Sequence, residues 1–136
     1  MSGQTDLVSL FFSAVGRTPR AQAWIGAAVL VGVAALYEAL VGEFGALHWL
    51  TGWFVYPALI FCGACVLSKR LHDRGRSGWW AALILFATAA VWPQPSHFFD
   101  FLFTLVLIWA VVELGVMPGE AGANRYGANP LRLALA

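Results

Sequence analysis

The sequence predicts an all-α membrane protein with four transmembrane helices and both termini in the cytoplasm. Its cytoplasmic cap is expected to form from the N-terminal segment, the 69–78 loop and the C-terminal segment. Three observations carry that expectation. Hydrophobic residues make up 60% of the chain and its mean hydropathy is +0.74, above the roughly 45–50% apolar content of soluble domains. Four apolar runs divide the chain, and every lysine and arginine falls at one set of their ends. A single domain of 136 residues has too little interior to hide so many Leu, Val, Phe and Trp side chains from water. Lipid has to be its solvent.

The elements follow in order. "LVSLFFSAVG", Leu7 to Gly16, reads as a short interfacial segment under the headgroups. No cleavable signal peptide is expected, because the first fifteen residues contain Asp6 and no basic residue. Apolar runs at 22–42 and 50–68 each approach the ~20 residues that cross ~30 Å of hydrocarbon as a helix. The third run, 79–92, ends before Pro93 and reaches only ~21 Å at ~1.5 Å per residue. The fourth, 98–117, spans again and ends at the helix-stopping pair Pro118-Gly119.

The short third run could instead be a re-entrant hairpin, and the charges arbitrate. The eight basic residues lie in three places: Arg17 and Arg20, then Lys69, Arg70, Arg74 and Arg76, then Arg125 and Arg132. The loops Glu43 to Trp49 and Pro93 to His97 contain none. Four spans put all eight on one side, as the positive-inside rule demands, whereas a re-entrant third run would put Arg125 and Arg132 outside. Tryptophans fit the same frame, with Trp24, Trp79 and Trp80 at cytoplasmic ends and Trp49, Trp53 and Trp92 at the other interface; Trp109 alone lies well inside a span.

Charge concentrates in "RLHDRGRSGWW", Arg70 to Trp80. The second helix is expected to run past Ser68 to about Arg74 and close at Gly75. Ser77 reads as the N-cap of the next helix, leaving N–H groups near Trp79 and Trp80 at the interface. A helix N-terminus with Arg70, Arg74 and Arg76 makes an anion site, and at that depth the anion is a lipid phosphate. The alternative is a positive-inside loop that fixes topology only.

His72-Asp73 invites a catalytic reading. Adjacent helical positions do not face each other, however, and His48 and His97 lie in loops on the opposite membrane face. Asp73 therefore reads as a structural partner of Arg17, Arg20 or Arg125. Glu113, one turn from the cytoplasmic end of the fourth span, reads as an internal ion pair with Arg17, Arg20 or Arg70, and proton or ion handling is the alternative. Glu38 can snorkel at the outer end of the first span. With Glu43, His48, His97 and Asp100 it could form an outward cluster, but none of these shows a tight metal spacing, and neither metal nor cofactor is expected.

"CGAC", Cys62 to Cys65, has the redox spelling C-x-x-C but sits among Phe, Val and Leu, where small residues let a neighbouring helix approach. The C-terminal "PGEAGANRYGANP" is rich in turn signals, and its Asn124, Arg125, Tyr126 and Asn129 need partners. The Arg70 to Ser77 loop is the nearest supply.

Three segments, "FFSAVGRTPRAQAW", "SKRLHDRGRSGWW" and "MPGEAGANRYGANP", resemble in order and in topological place the signatures of a bacterial family called domain of unknown function 805. The chain has Thr18-Pro19 where that family more often shows a pair such as Ile-Ser. The resemblance implies a small helical protein of the bacterial inner membrane and implies no activity.

Two classes of function remain in view. One is a non-enzymatic module whose cap binds a lipid headgroup, a small anion or a protein partner. The other is an oligomeric channel or transporter subunit using Glu113 or Glu38. A lipid-modifying enzyme at the Arg70 to Trp80 loop is a weaker third. Apart from Glu38, Thr88, Thr104 and Glu113 the spans offer few polar residues for a conduit, which favours the module. The expected partners are membrane lipids and a second copy or another membrane protein. A net charge of +1 attracts no nucleic acid.

Overall fold

The apolar runs fold as helices, because in lipid a backbone that satisfies its own hydrogen bonds is the accessible solution. The computed structural model describes residues 7–91 and 95–135, without the side chains of 133–135. Asp6, Trp92 and Pro93, to which the sequence reading assigned roles, lie outside the described residues. The elements are α1 (Leu7–Phe12), α2 (Arg20–Val41), α3 (Gly45–Asp73), α4 (Trp80–Val91), α5 (Phe98–Ala110), a π-helical segment that continues α5 (Val111–Val116), and α6 (Pro130–Leu135). Arg20–Val41, Gly45–Asp73 and Phe98–Val116 are long and apolar enough to cross a membrane; Trp80–Val91 is a shorter apolar helix. The chain is thus all-helical with the apolar helices of a membrane protein.

Two boundaries differ from the sequence expectation. α3 starts at Gly45, so His48 and Trp49 are helical and only a tight turn at 42–44 separates it from α2. Nothing between Gly45 and Leu50 breaks a helix, and the polar His48 finds partners across the hairpin. At the other end α3 closes as expected in a Schellman turn. Gly75 takes φ +71°, Arg76 N donates to Leu71 O at 2.8 Å and Gly75 N to His72 O at 3.0 Å.

The fourth run is not one α-helix. It changes to π geometry from Val111 to Val116, with Met117 N donating to Val112 O at 3.1 Å.

α3 is the central element, touching α1, α2 and α4; α4 also packs on α5, and the π segment reaches α2. The α2–α3 contact tightens at Gly26, where a Cβ would meet Val66 Cγ2 at 3.2 Å. Gly63 in "CGAC" faces Leu30 of α2 and Leu85 of α4. The buried apolar cluster is small and lies towards the charged end: Leu71, Ala81, Ile84, Ala110 and Leu114. Large apolar side chains such as Leu36, Phe54, Phe86 and Phe101 are exposed instead, which is stable where the solvent is hydrocarbon.

Candidate functional site

A helix ends with carbonyls that have no partner within it. At the end of the π segment these carbonyls are collared by side chains from α2 and α3. Arg70 Nε donates to Leu114 O (2.6 Å), Trp24 Nε1 to Gly115 O (2.9 Å) and Arg20 Nη1 to Val116 O (2.8 Å). Arg70 Nη2 donates to Met117 O (2.5 Å) and Arg74 Nη1 to Pro118 O (2.6 Å). Three guanidinium groups therefore sit at the negative end of that helix, where cations are favourable. Gly115 is what admits the indole, since a Cβ there would lie 2.5 Å from Trp24 Cζ2.

Beneath the collar Asp73 sits between two arginines. Arg17 Nε donates to its Oδ1 at 3.0 Å and Arg70 Nη1 to its Oδ2, with all three side chains almost fully buried. Of the three partners anticipated for Asp73, Arg17 is the one that arrives, and Arg70 joins it. Arg17 also reaches into the C-terminal loop, donating to Gly122 O (2.7 Å), Glu120 O (2.7 Å) and Gly127 O (3.2 Å). Glu120 N in turn donates to Asp73 O at 2.8 Å.

The N-terminal segment is tied in by Thr18 N donating to Lys69 O (3.2 Å) and by Lys69 Nζ donating to Ser9 O. His72 Nδ1 lies 3.0 Å from Gly16 O while its ring stacks on Tyr126 at 3.8 Å. Arg125 lies over the other aromatic partner, its guanidinium 4.7 Å from the Tyr126 ring centre. Asn124 Nδ2 donates to His72 O at 2.9 Å, and Asn129 Nδ2 to Ala121 O at 2.9 Å. The three segments form one polar cap.

Glu113 corrects the expected pairing. Its partners are Arg74 (2.9 Å) and Arg76 (2.8 Å), not Arg17, Arg20 or Arg70. The reason is that Arg17 and Arg70 are drawn to Asp73, and Arg20 turns to a carbonyl.

The three arginines expected to converge on an anion are engaged by the protein to different degrees. All three nitrogens of Arg70, and all three of Arg74, donate to protein acceptors. Arg76 keeps its two terminal nitrogens unbonded among the described residues and lies 5.6 Å from the Trp109 ring centre. Trp109 contacts Trp80 at 5.5 Å, so it stands under the cap and not deep in a span. Ser77 Oγ accepts from Trp79 N at 3.4 Å, and Trp79 is 85% exposed, free to meet the interface.

Above the collar an open apolar groove of about 550 Å³ runs between α2, α3, α4 and α5. Trp24, Ala27, Val31, Leu85, Val111 and Gly115 are among its walls, and Arg70 and Thr88 are the other polar side chains that reach it. Thr88 Oγ1 donates to Ile84 O at 2.8 Å and Thr104 Oγ1 to Asp100 O at 2.7 Å, so each hydroxyl proton is committed to its own helix.

At the far end Glu38 accepts from Tyr56 and lies 3.1 Å from His48 Nε2, and Tyr37 stacks on His48. His97 and Asp100 form a separate capping pair at the start of α5. Among the described residues these ligands do not gather as a group of three. Cys62 and Cys65 are free thiols, and Cys65 is buried.

Sequence reasoning missed the π segment at 111–116, and missed Arg20 and Trp24 as donors to its carbonyls. The one available signal was "ELGVMP": Glu113 and a glycine shortly before a helix-stopping proline.

A family model described as "Protein of unknown function (DUF805)" matches residues 11–128. The chain is 35% identical over 127 residues to the "Uncharacterized protein YiiR" of Escherichia coli strain K12, covering 87% of this chain and 86% of that one. The YiiR protein of Escherichia coli O157:H7 matches to the same extent. No solved structure matches significantly.

Proposed function

The chain belongs to the DUF805 family, and from that premise we propose that it is a four-span protein of the bacterial inner membrane, acting as a non-catalytic lipid-binding module. The observation that carries the reading is the groove: an open apolar channel of about 550 Å³ that ends against the charged cap. That volume falls within the roughly 300–1,000 Å³ of small-ligand sites. A groove that opens to hydrocarbon is filled by hydrocarbon, because an unfilled one forfeits dispersion contacts along its whole wall.

Sidedness is supported by the basic residues, all eight of which belong to the capped ends of the helices or to the N- and C-terminal segments beside them. On that basis the cap and both termini are cytoplasmic, and His48 and Glu38 face the other side. α4 rises only about 18 Å. It spans with Trp79 and Trp80 anchoring its cytoplasmic end and local thinning of the bilayer.

Ion conduction receives less support. Glu113 is clamped by two arginines, and the groove offers no row of unsatisfied polar groups. The test is native mass spectrometry of the protein released from its own membranes. Phospholipid retained at a fixed stoichiometry supports the reading, and protein that flies free of lipid under conditions that preserve the fold contradicts it.

A further inference from the structure

On α2 the residues Arg20, Trp24, Ala27, Val31 and Ala34 are spaced by four, three, four and three, so they form one face of the helix. Trp24, Ala27, Val31 and Ala34 wall the groove, and small residues there are what leave room for an occupant. From Trp24 to Ala34 the helix rises about 15 Å. That is the depth of one leaflet of a ~30 Å hydrocarbon core.

Arg20 stands at the cytoplasmic mouth of this face. It is exposed, and Nη1 is held by Val116 O at 2.8 Å beside the Trp24–Gly115 contact. Its Nε and Nη2 make no hydrogen bond among the described residues. The guanidinium is therefore oriented by one bond while the fork of two adjacent N–H groups remains open. Such a fork matches two oxygens of a phosphate.

We infer that the groove seats one acyl chain of an anionic phospholipid, whose phosphate is gripped by the Nε–Nη2 fork of Arg20. The inference rests on the lipid-binding reading and names its lipid class and headgroup ligand. The length of the apolar face, the volume behind it and the open cationic fork at its interfacial end all describe the same molecule. A phospholipid brings the acyl chain and the anion in one molecule, whereas a second copy of the chain or a foreign helix would have to place a carboxylate at the fork as well as an apolar face in the groove.

The experiment titrates delipidated protein in detergent with phosphatidylglycerol and with phosphatidylethanolamine, reading occupancy by native mass spectrometry and folding by the unfolding midpoint. Both lipids offer the phosphate, but the ammonium of phosphatidylethanolamine offsets the attraction of Arg20, so wild type should favour phosphatidylglycerol by about fivefold, the value of one arginine near an anionic surface. Arg20→Gln should bind both lipids equally. Arg20→Lys keeps the charge but loses the fork, should fall between the two, and carries the test if the glutamine variant does not fold. Ala27→Phe should block the groove and lose both lipids at an unchanged midpoint.

A phosphatidylglycerol preference that survives in Arg20→Gln overturns the inference, as does full lipid occupancy in Ala27→Phe. So does a dimer mass that appears in place of bound lipid. If wild type binds lipid with no headgroup preference, the inference fails and the lipid-binding reading stands. If folded wild type binds neither lipid, both fail.

Discussion

Replacing Asp73 by Asn tests the centre of the cap. The carboxylate is 4% exposed and its partners Arg17 and Arg70 are each 1% exposed, so all three charges are out of solvent. With the carboxylate gone, two buried guanidinium groups remain with carbonyl partners only: Gly122, Gly127 and Glu120 for Arg17, Leu114 and Met117 for Arg70. The amide keeps one acceptor oxygen but turns a donor towards the other arginine. Breaking a buried pair by removing one partner costs about 3–5 kcal/mol. For a chain of this size that lowers the unfolding midpoint by on the order of 10 °C or more. The assay is thermal unfolding in mild detergent, with exposed Arg132→Gln as the control, expected within about 0.5 kcal/mol of wild type. The double variant Asp73→Asn with Arg17→Gln should be less destabilised than the sum of the singles, because it removes one stranded charge. A midpoint for Asp73→Asn no lower than that of Arg132→Gln would refute the buried-triad account.

Glu113→Gln should destabilise by less, about 1.5–3 kcal/mol, since it weakens three charged hydrogen bonds from two arginines that are 19% and 41% exposed; a loss equal to that of Asp73→Asn in the same unfolding assay would contradict the ranking. Gly115→Val should displace the Trp24 indole from the Gly115 carbonyl, read as a red-shifted and more quenchable tryptophan emission in a background where the other tryptophans are Phe; unchanged emission would mean the close approach is not needed. A cysteine placed at Ala123, with Cys62 and Cys65 replaced, should react with an impermeant thiol reagent only after the membrane is opened; labelling of intact cells would overturn the cytoplasmic placement of the cap.

Legibility tracked the range of the interaction that decides each feature. The closing turn at Gly75 was readable because left-handed backbone after a helix is a local preference of glycine. That Asp73 would be paired was also readable, because a carboxylate among arginines at the edge of lipid needs a partner. Its partners were only half readable, since Arg17 comes from 56 residues away and competes with other arginines for the same carboxylate. The assignment of Glu113 failed for the same reason. Once Arg17 and Arg70 were committed to Asp73, Arg74 and Arg76 were left to neutralise it.

Composition and hydrophobic run lengths alone determined that this chain is helical and that hydrocarbon is its solvent, because both depend on each segment's own balance of apolar side chains and backbone hydrogen bonding. The number of apolar helices and the clustering of basic residues at one set of ends were equally local properties. The tertiary structure decided which arginines are structural and which, such as Arg20 and Arg76, keep donors to spare. It turned Arg70 inward to the carbonyls of Leu114 and Met117, and it left Arg20 exposed one turn before Trp24, which walls a groove formed where four helices fail to close. A guanidinium carries the same charge in every position of a sequence. Whether its donors meet carbonyls of a distant π segment or open space is set by how the helices pack, and that is where a binding site is made or spent.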